Sequence, residues 1–140
     1  MVDKKLELKF IGDYTPKYAT KGSAGFDLIC PVKTRVFPGE LVKIDMRLKF
    51  EIPKGYYLEI VPRSSLAKTG LVLANSVGII DSDYRQSLFA VLRNLSKTKV
   101  IIKGGDRILQ AILKPVEQVT LKKVNEIEDT TRGGYGSTGR

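Results

Sequence analysis

In the run NSVGIIDSDYR (75–85), two aspartates, Asp81 and Asp83, follow directly on the apolar pair Ile79-Ile80. The isoleucines belong in a core, so Asp81 stands at the mouth of an apolar wall. That position suits a general base or the shell of a magnesium ion, and equally a solvated turn rich in Asp and Ser. A second stretch, PRSSLAKTG (62–70), puts Arg63 beside Ser64 and Ser65 at the start of a helical turn. Free N–H groups, two hydroxyls and a guanidinium make an anion site there, or simply a serine-capped turn. GSAGFDL (22–28) and GGDRILQ (104–110) each read as a turn entering a strand. Their plain readings leave Asp27 solvated, pair Asp106 with Arg107 and turn Gln110 to solvent. The chain stops on TRGGYGSTGR (131–140), where glycines, hydroxyls, an arginine and one aromatic stand together. A frayed end, a nucleic-acid contact and a phosphate-binding segment all fit that composition. It has no lysine for a Walker loop and only one RGG, without an array.

Composition narrows the chemistry. The 140 residues contain no histidine and one cysteine, Cys30. Ser-His-Asp and Cys-His nucleophiles, imidazole bases and the usual zinc or copper sites are therefore excluded, and any metal should be a hard, oxygen-held one. The single cysteine rules out an internal disulfide framework and fits a reducing compartment. No stretch approaches the roughly 18 apolar residues of a membrane span, and the start MVDKKLELKF is charged and alternating. A soluble cytoplasmic protein without a membrane partner is expected. The net charge of +9, from 24 basic and 15 acidic side chains, points to an anionic partner.

The elements that must position these residues are strands. In KIDMRLKF, Ile44, Met46, Leu48 and Phe50 alternate with charged residues, the pattern of one half-buried strand. LELKFI, YYLEIV (56–61), SLFAVLRN (87–94), KVIIK (99–103), RILQAILKPV (107–116) and QVTLKKV (118–124) repeat it less cleanly, with Pro, Gly and Asn turns between them. This spacing predicts an all-β sandwich or barrel. Only SSLAKTGL (64–71) predicts a helical turn or two, with a serine N-cap and Gly70 as its stop. One β-domain over 1–124 and an arm over 125–140 are expected.

In order, AGFDL, PRSSLA, NSVGIIDSDYR, GDRILQ and RGGYGSTG resemble the five motifs of the homotrimeric dUTP pyrophosphatases, the dUTPases, from Ala24 to Gly139. The resemblance implies a jelly-roll-like β-barrel assembled as a homotrimer, with each active site built from three subunits and closed by a flexible C-terminal arm. It implies hydrolysis of dUTP to dUMP and pyrophosphate, with Mg2+ on the triphosphate. Asp81 matches the water-activating carboxylate, and Tyr84 the aromatic packed under the deoxyribose. Asn75 and the hairpin backbone after it, including Gly78 and Ile80, match the uracil-reading element. Arg63, Ser64, Ser65 and Gln110 match phosphate contacts, and Asp27 the residue that meets Mg2+ through bound water. Arg107 matches a structural or interface arginine. In the arm, Tyr135 matches the base-stacking ring, with Gly136, Ser137, Thr138 and Arg132 around the terminal phosphates.

Two positions depart from the family pattern: Gln86 stands where glycine is usual, and Arg132 precedes Tyr135 by three residues rather than five. A dCTP deaminase of the same superfamily is the nearest rival, but the segment RQSLFAVLRN has no glutamate for its base. A non-catalytic trimeric binding protein is the rival of another class. The expected partner is dUTP rather than nucleic acid.

Overall fold

The computed structural model describes residues 6–139. Along the chain run β1 (Lys9–Gly12), β2 (Lys17–Tyr18), β3 (Phe26–Ile29), β4 (Thr34–Val36), β5 (Leu41–Asp45), β6 (Leu48–Glu51) and β7 (Tyr56–Pro62). The helical turn α1 (Ser64–Ala67) follows, then β8 (Leu71–Leu73), β9 (Gly78–Ile80), β10 (Phe89–Asn94), β11 (Val100–Ile102) and β12 (Arg107–Pro115). The pairings are antiparallel. The largest sheet has the order β2-β3-β12-β7-β9, a second the order β5-β10-β8, and β1-β6 and β11-β4 form two-stranded ribbons. All four wrap one apolar core, an all-β, jelly-roll-like barrel.

Alternation decides which side chains enter that core. Leu48 and Phe50 of β6, Leu58 and Ile60 of β7, and Ala90 and Leu92 of β10 point inward, while Lys49, Glu51 and Arg93 stay in water. Strand β3 differs, since Phe26, Asp27 and Leu28 are all buried. Both faces of this strand are covered, and the carboxylate is on the face away from the core. Among the described residues Asn94 is the other buried polar one; its amide donates to the carbonyls of Val36 and Thr98 at 2.9 and 2.8 Å and accepts from the Ser96 N–H at 2.9 Å.

Three sequence expectations change. KIDMRLKF is not one strand: it breaks between Asp45 and Leu48, where Arg47 takes a left-handed φ of 58° and its N–H donates to Asp45 Oδ1 at 2.8 Å. The two halves pair in different sheets, β5 with β10 and β6 with β1, so the chain must turn a corner there. QVTLKKV forms no strand. The ladder of β12 ends at Pro115, which cannot donate to it, and Val119 and Leu121 stay 73% and 91% exposed. The chain thus leaves the sheets at Pro115, ten residues before the expected start of the arm. Finally, Ser64 is the first helical residue rather than the cap. Arg63 holds the N-cap position in extended geometry, without a side-chain cap bond, because a guanidinium has no acceptor to offer the first-turn N–H groups; its own N–H donates to the Ile108 carbonyl at 3.1 Å.

Candidate active site

The central feature is a shared carboxylate. Asp27 Oδ1 pairs with Arg63 Nε at 3.0 Å and Oδ2 with Arg107 Nη1 at 3.5 Å, while the Asp27 side chain is only 11% exposed. Each residue arrives by a different local route. Asp27 lies on β3; Arg63 is the residue where β7 gives way to α1; Arg107 opens β12. The ladder between β3 and β12 shifts register between Arg107 and Leu109, a bulge that leaves Ile108 extra. Beyond it Gln110 stands directly opposite Asp27, on the same face, and donates from Nε2 to the Pro62 carbonyl at 3.3 Å. Bulges of this kind re-aim side chains, and here one brings Arg107 and Gln110 to one spot.

Gly25 makes the same spot possible. A Cβ there would meet the Ala111 carbonyl oxygen at 2.9 Å, Ile112 Cγ1 at 3.0 Å and Gln110 Oε1 at 3.2 Å, so only a bare backbone lets β3 approach β12. Arg63, Ser65 and Arg107 then line an open cleft of about 560 Å³, together with Ile101 and Asp106. Ser64 and Ser65 are exposed at its entrance. The cleft thus gathers two guanidinium groups and hydroxyls, the donors an oligophosphate needs. The pairing of Asp106 with Arg107 does not form: Asp106 Oδ2 accepts the Lys103 N–H at 2.8 Å, and Arg107 turns to Asp27. Gln110 is half-buried rather than free in solvent.

The Asp81 stretch builds a separate place. Strand β9 pairs with β7 through Leu58↔Ile80 and Ile60↔Gly78, which carries Asp81 next to Tyr57. Asp81 and Asp83 line a cleft of about 570 Å³ with Tyr56, Tyr57, Ile79 and Gln118. The turn is closed by the Tyr84 N–H donating to the Asp81 carbonyl at 3.1 Å. Tyr84 is further tied by its hydroxyl donating to the Ser87 carbonyl at 2.6 Å, and its ring packs against the core. The expected hairpin is an arch, since β9 joins the large sheet and β10 the three-stranded one. Gln86 is exposed beyond this turn. Gly78 is buried, with Ile60 Cβ 3.0 Å from where its Cβ would stand, and Ser76 holds a φ of 63° beside the exposed Asn75. Ile80 is half-buried.

These two places are far apart in one chain. Asp81 is level with Tyr57 and the arginine cleft begins at Arg63, so six residues of extended strand, roughly 20 Å, separate them. After Pro115 the chain passes the Asp81 cleft, which Gln118 lines, and every residue from Pro115 to Gly139 is exposed, Tyr135 completely so. Arg132, Gly136, Ser137 and Thr138 lie in a local coil of turns, closed by the Ser137 N–H on the Gly134 carbonyl at 3.0 Å. Among the described residues no helix is long and apolar enough to cross a membrane, and no group of three or more acidic or cysteine side chains could cage a metal.

Comparison with known proteins gives the family and the fold. The dUTPase family profile matches residues 14–139. A deoxyuridine 5'-triphosphate nucleotidohydrolase of Hydrogenobaculum sp. is 44% identical over 128 residues, 89% of each chain. One of Bdellovibrio bacteriovorus is 44% identical over 142 aligned positions, covering 98% of this chain and 94% of its own. The solved dUTPase of Streptococcus mutans superposes with a TM-score of 0.72 at 31% identity, over 81% of this chain and 98% of that one. That of Staphylococcus bacteriophage 80alpha, solved with dUpNHpp, shares the fold at a TM-score of 0.87 and 22% identity, over 96% and 99%. Matched along nearly its whole length, and carrying all five motif segments on the same scaffold, the chain belongs to the dUTPase family.

Proposed function

We propose that this dUTPase splits dUTP into dUMP and pyrophosphate at a site that one copy of the chain cannot complete. The separation of the Asp81 cleft from the Arg63–Arg107 cleft, roughly 20 Å along β7, carries this reading. A carboxylate that far from the phosphate contacts cannot activate water for them, whereas the same carboxylate on a neighbouring copy can. A homotrimer closes such a head-to-tail arrangement. The exposed Val119, Leu121 and Ile127 and the bare Tyr135 ring support it, since they have no apolar surface of their own protomer to cover.

In that site Asp81 takes a proton from water as its oxygen attacks the α-phosphorus, and the bond to the bridging oxygen breaks to release pyrophosphate. Arg63, Ser64, Ser65 and Gln110 hold the phosphates, and Asp27 keeps Arg63 aimed. Uracil is read by backbone. Strand β9 is the edge of its sheet, so half of its N–H and C=O groups face outward beside Asn75. A donor and acceptor row of that kind matches uracil and sets a donor against cytosine's amino group, a mismatch worth about 10⁴ in discrimination. Tyr84 packs below the sugar. Tyr135 stacks on the base, with Arg132, Gly136, Ser137 and Thr138 closing over the phosphates.

The donor set fits Mg2+ carried by the substrate rather than caged by protein. There is no histidine, and Asp27 spends one lone pair of each oxygen on a guanidinium, leaving the others for metal-bound water. Bound there, Mg2+ supplies charge neutralisation on the triphosphate.

The test is pyrophosphate release from dUTP, dCTP, dTTP and UTP, with and without Mg2+, alongside ammonia release from dCTP. Pyrophosphate from dUTP alone is expected. Ammonia from dCTP would replace hydrolysis with deamination.

A further inference from the structure

The ribbon of β4 and β11 carries a charge pattern that the reaction as described does not use. Its register pairs Thr34 with Ile102, Arg35 with Ile101 and Val36 with Val100. Val36 and Ile102 are buried, so Arg35 and Ile101 face outward, and both are exposed. One step further along the ladder in each direction, Lys33 stands across from Lys103, and Lys99 across from Phe37. Lys33, Arg35, Lys99 and Lys103 thus share one outer face. Like charges set directly across a ribbon are destabilising, and among the described residues none of these four has a salt-bridge partner. The nearby carboxylates, Glu40 and Asp106, are already engaged with the backbone N–H groups of Phe37 and Lys103, each within 2.9 Å. Four cations against two occupied carboxylates leave the face positive.

The same ribbon lines the arginine cleft: Val100, Ile101 and Ile102 border it together with Arg63, Ser65 and Arg107. Lys99 and Lys103 are chain neighbours of those wall residues, and Arg35 is the cross-strand neighbour of one. The Cα atoms of all three therefore lie within about 6 Å of that of a wall residue, near enough for their long side chains to act on a charge entering the cleft across less than a few Debye lengths.

We propose that this ribbon is a cationic collar that draws the triphosphate into the cleft. The proposal rests on the cleft being the triphosphate site. Attraction scales with the ligand's net charge, which Mg2+ on the triphosphate reduces but does not cancel, so the same cations speed the approach of the anionic substrate. The ribbon cations touch no reacting atom, so the collar sets capture and leaves the chemical step alone.

The experiment compares two charge-matched variants of the full chain, Arg35→Gln/Lys103→Gln in the collar and Lys43→Gln/Lys49→Gln on β5 and β6. Binding of α,β-imido-dUTP and kcat/KM for dUTP are measured from low to about 0.5 M salt. The collar variant should bind the analogue, and turn over at limiting dUTP, about tenfold less well at low salt. Its kcat should match the parent, its dependence on salt should flatten, and the deficit should vanish at high salt. The control variant should follow the parent. Equal losses in both variants would make this an effect of overall charge and overturn the proposal, as would an unchanged salt slope in the collar variant. A protein that binds the analogue with this salt pattern yet releases no pyrophosphate would keep the collar and sink the hydrolase reading.

Discussion

Replacing Asp27 with asparagine removes the one negative charge that two guanidinium groups share. Stripping one partner from a fully buried ion pair costs about 3–5 kcal/mol. Here the cost is smaller, for reasons visible in the exposures: Asp27 is 11% exposed, Arg63 26% and Arg107 55%. Arg107 returns to water at little loss, about 0.5 kcal/mol. Arg63 is left against an amide whose oxygen still accepts but whose charge is gone, so the net loss should be about 2 kcal/mol. For a chain of this length that lowers the midpoint of thermal unfolding by about 6 °C. Circular dichroism at one fixed protein concentration reads it, and pyrophosphate release reads the consequence, a raised KM for dUTP as Arg63 loses its aim. Arg107→Ala alone should shift the midpoint far less, and the double variant should add little to Asp27→Asn. A midpoint and KM indistinguishable from the parent's would refute the claim that Asp27 organises the two arginines.

Asp81→Asn should abolish turnover while dUTP still binds, as pyrophosphate release and ligand titration will read; near-normal kcat would remove Asp81 from the base role. Deleting Thr131 to Arg140 should cut turnover severely yet leave the circular dichroism of the barrel intact, because none of the described residues 131–139 is buried against it; an active truncation would make the arm dispensable. Burial pushes the Tyr14 hydroxyl up to about 12, against 10 in the unfolded chain. The folded state therefore keeps a proton that the unfolded state loses, so the stability present below pH 10 is lost as pH rises toward 12. Tyr14→Phe should remove that segment of the pH dependence of unfolding.

Periodicity made the all-β class legible, and the runs at 56–61, 87–94, 99–103 and 107–116 all contain strands, because their apolar residues alternate on a barrel wetted from outside. Corners and sheet membership were not legible. KIDMRLKF keeps its period of two through a break at Arg47, since burial repeats every second residue whether or not the chain changes sheet. QVTLKKV alternates as well as any strand yet, among the described residues, pairs with nothing in its own chain. Alternation reports a wet face and a dry one, and not where the dry face is covered. The short β4 and β8 passed unnoticed because three residues carry too little period to read.

What the sequence by itself determined is the chemistry available: oxygen donors and guanidinium groups without imidazole, in five motif segments whose order resembles one enzyme family. Only the tertiary structure decided who meets whom. The bulge in β12 turned Arg107 from its neighbour Asp106 to Asp27, eighty residues away in sequence, and the length of β7 kept Asp81 from the phosphate cleft. Both follow from strand pairing, which brings together residues that sequence distance keeps apart. One register slip, or a strand a few residues shorter, would regroup the same side chains into different sites.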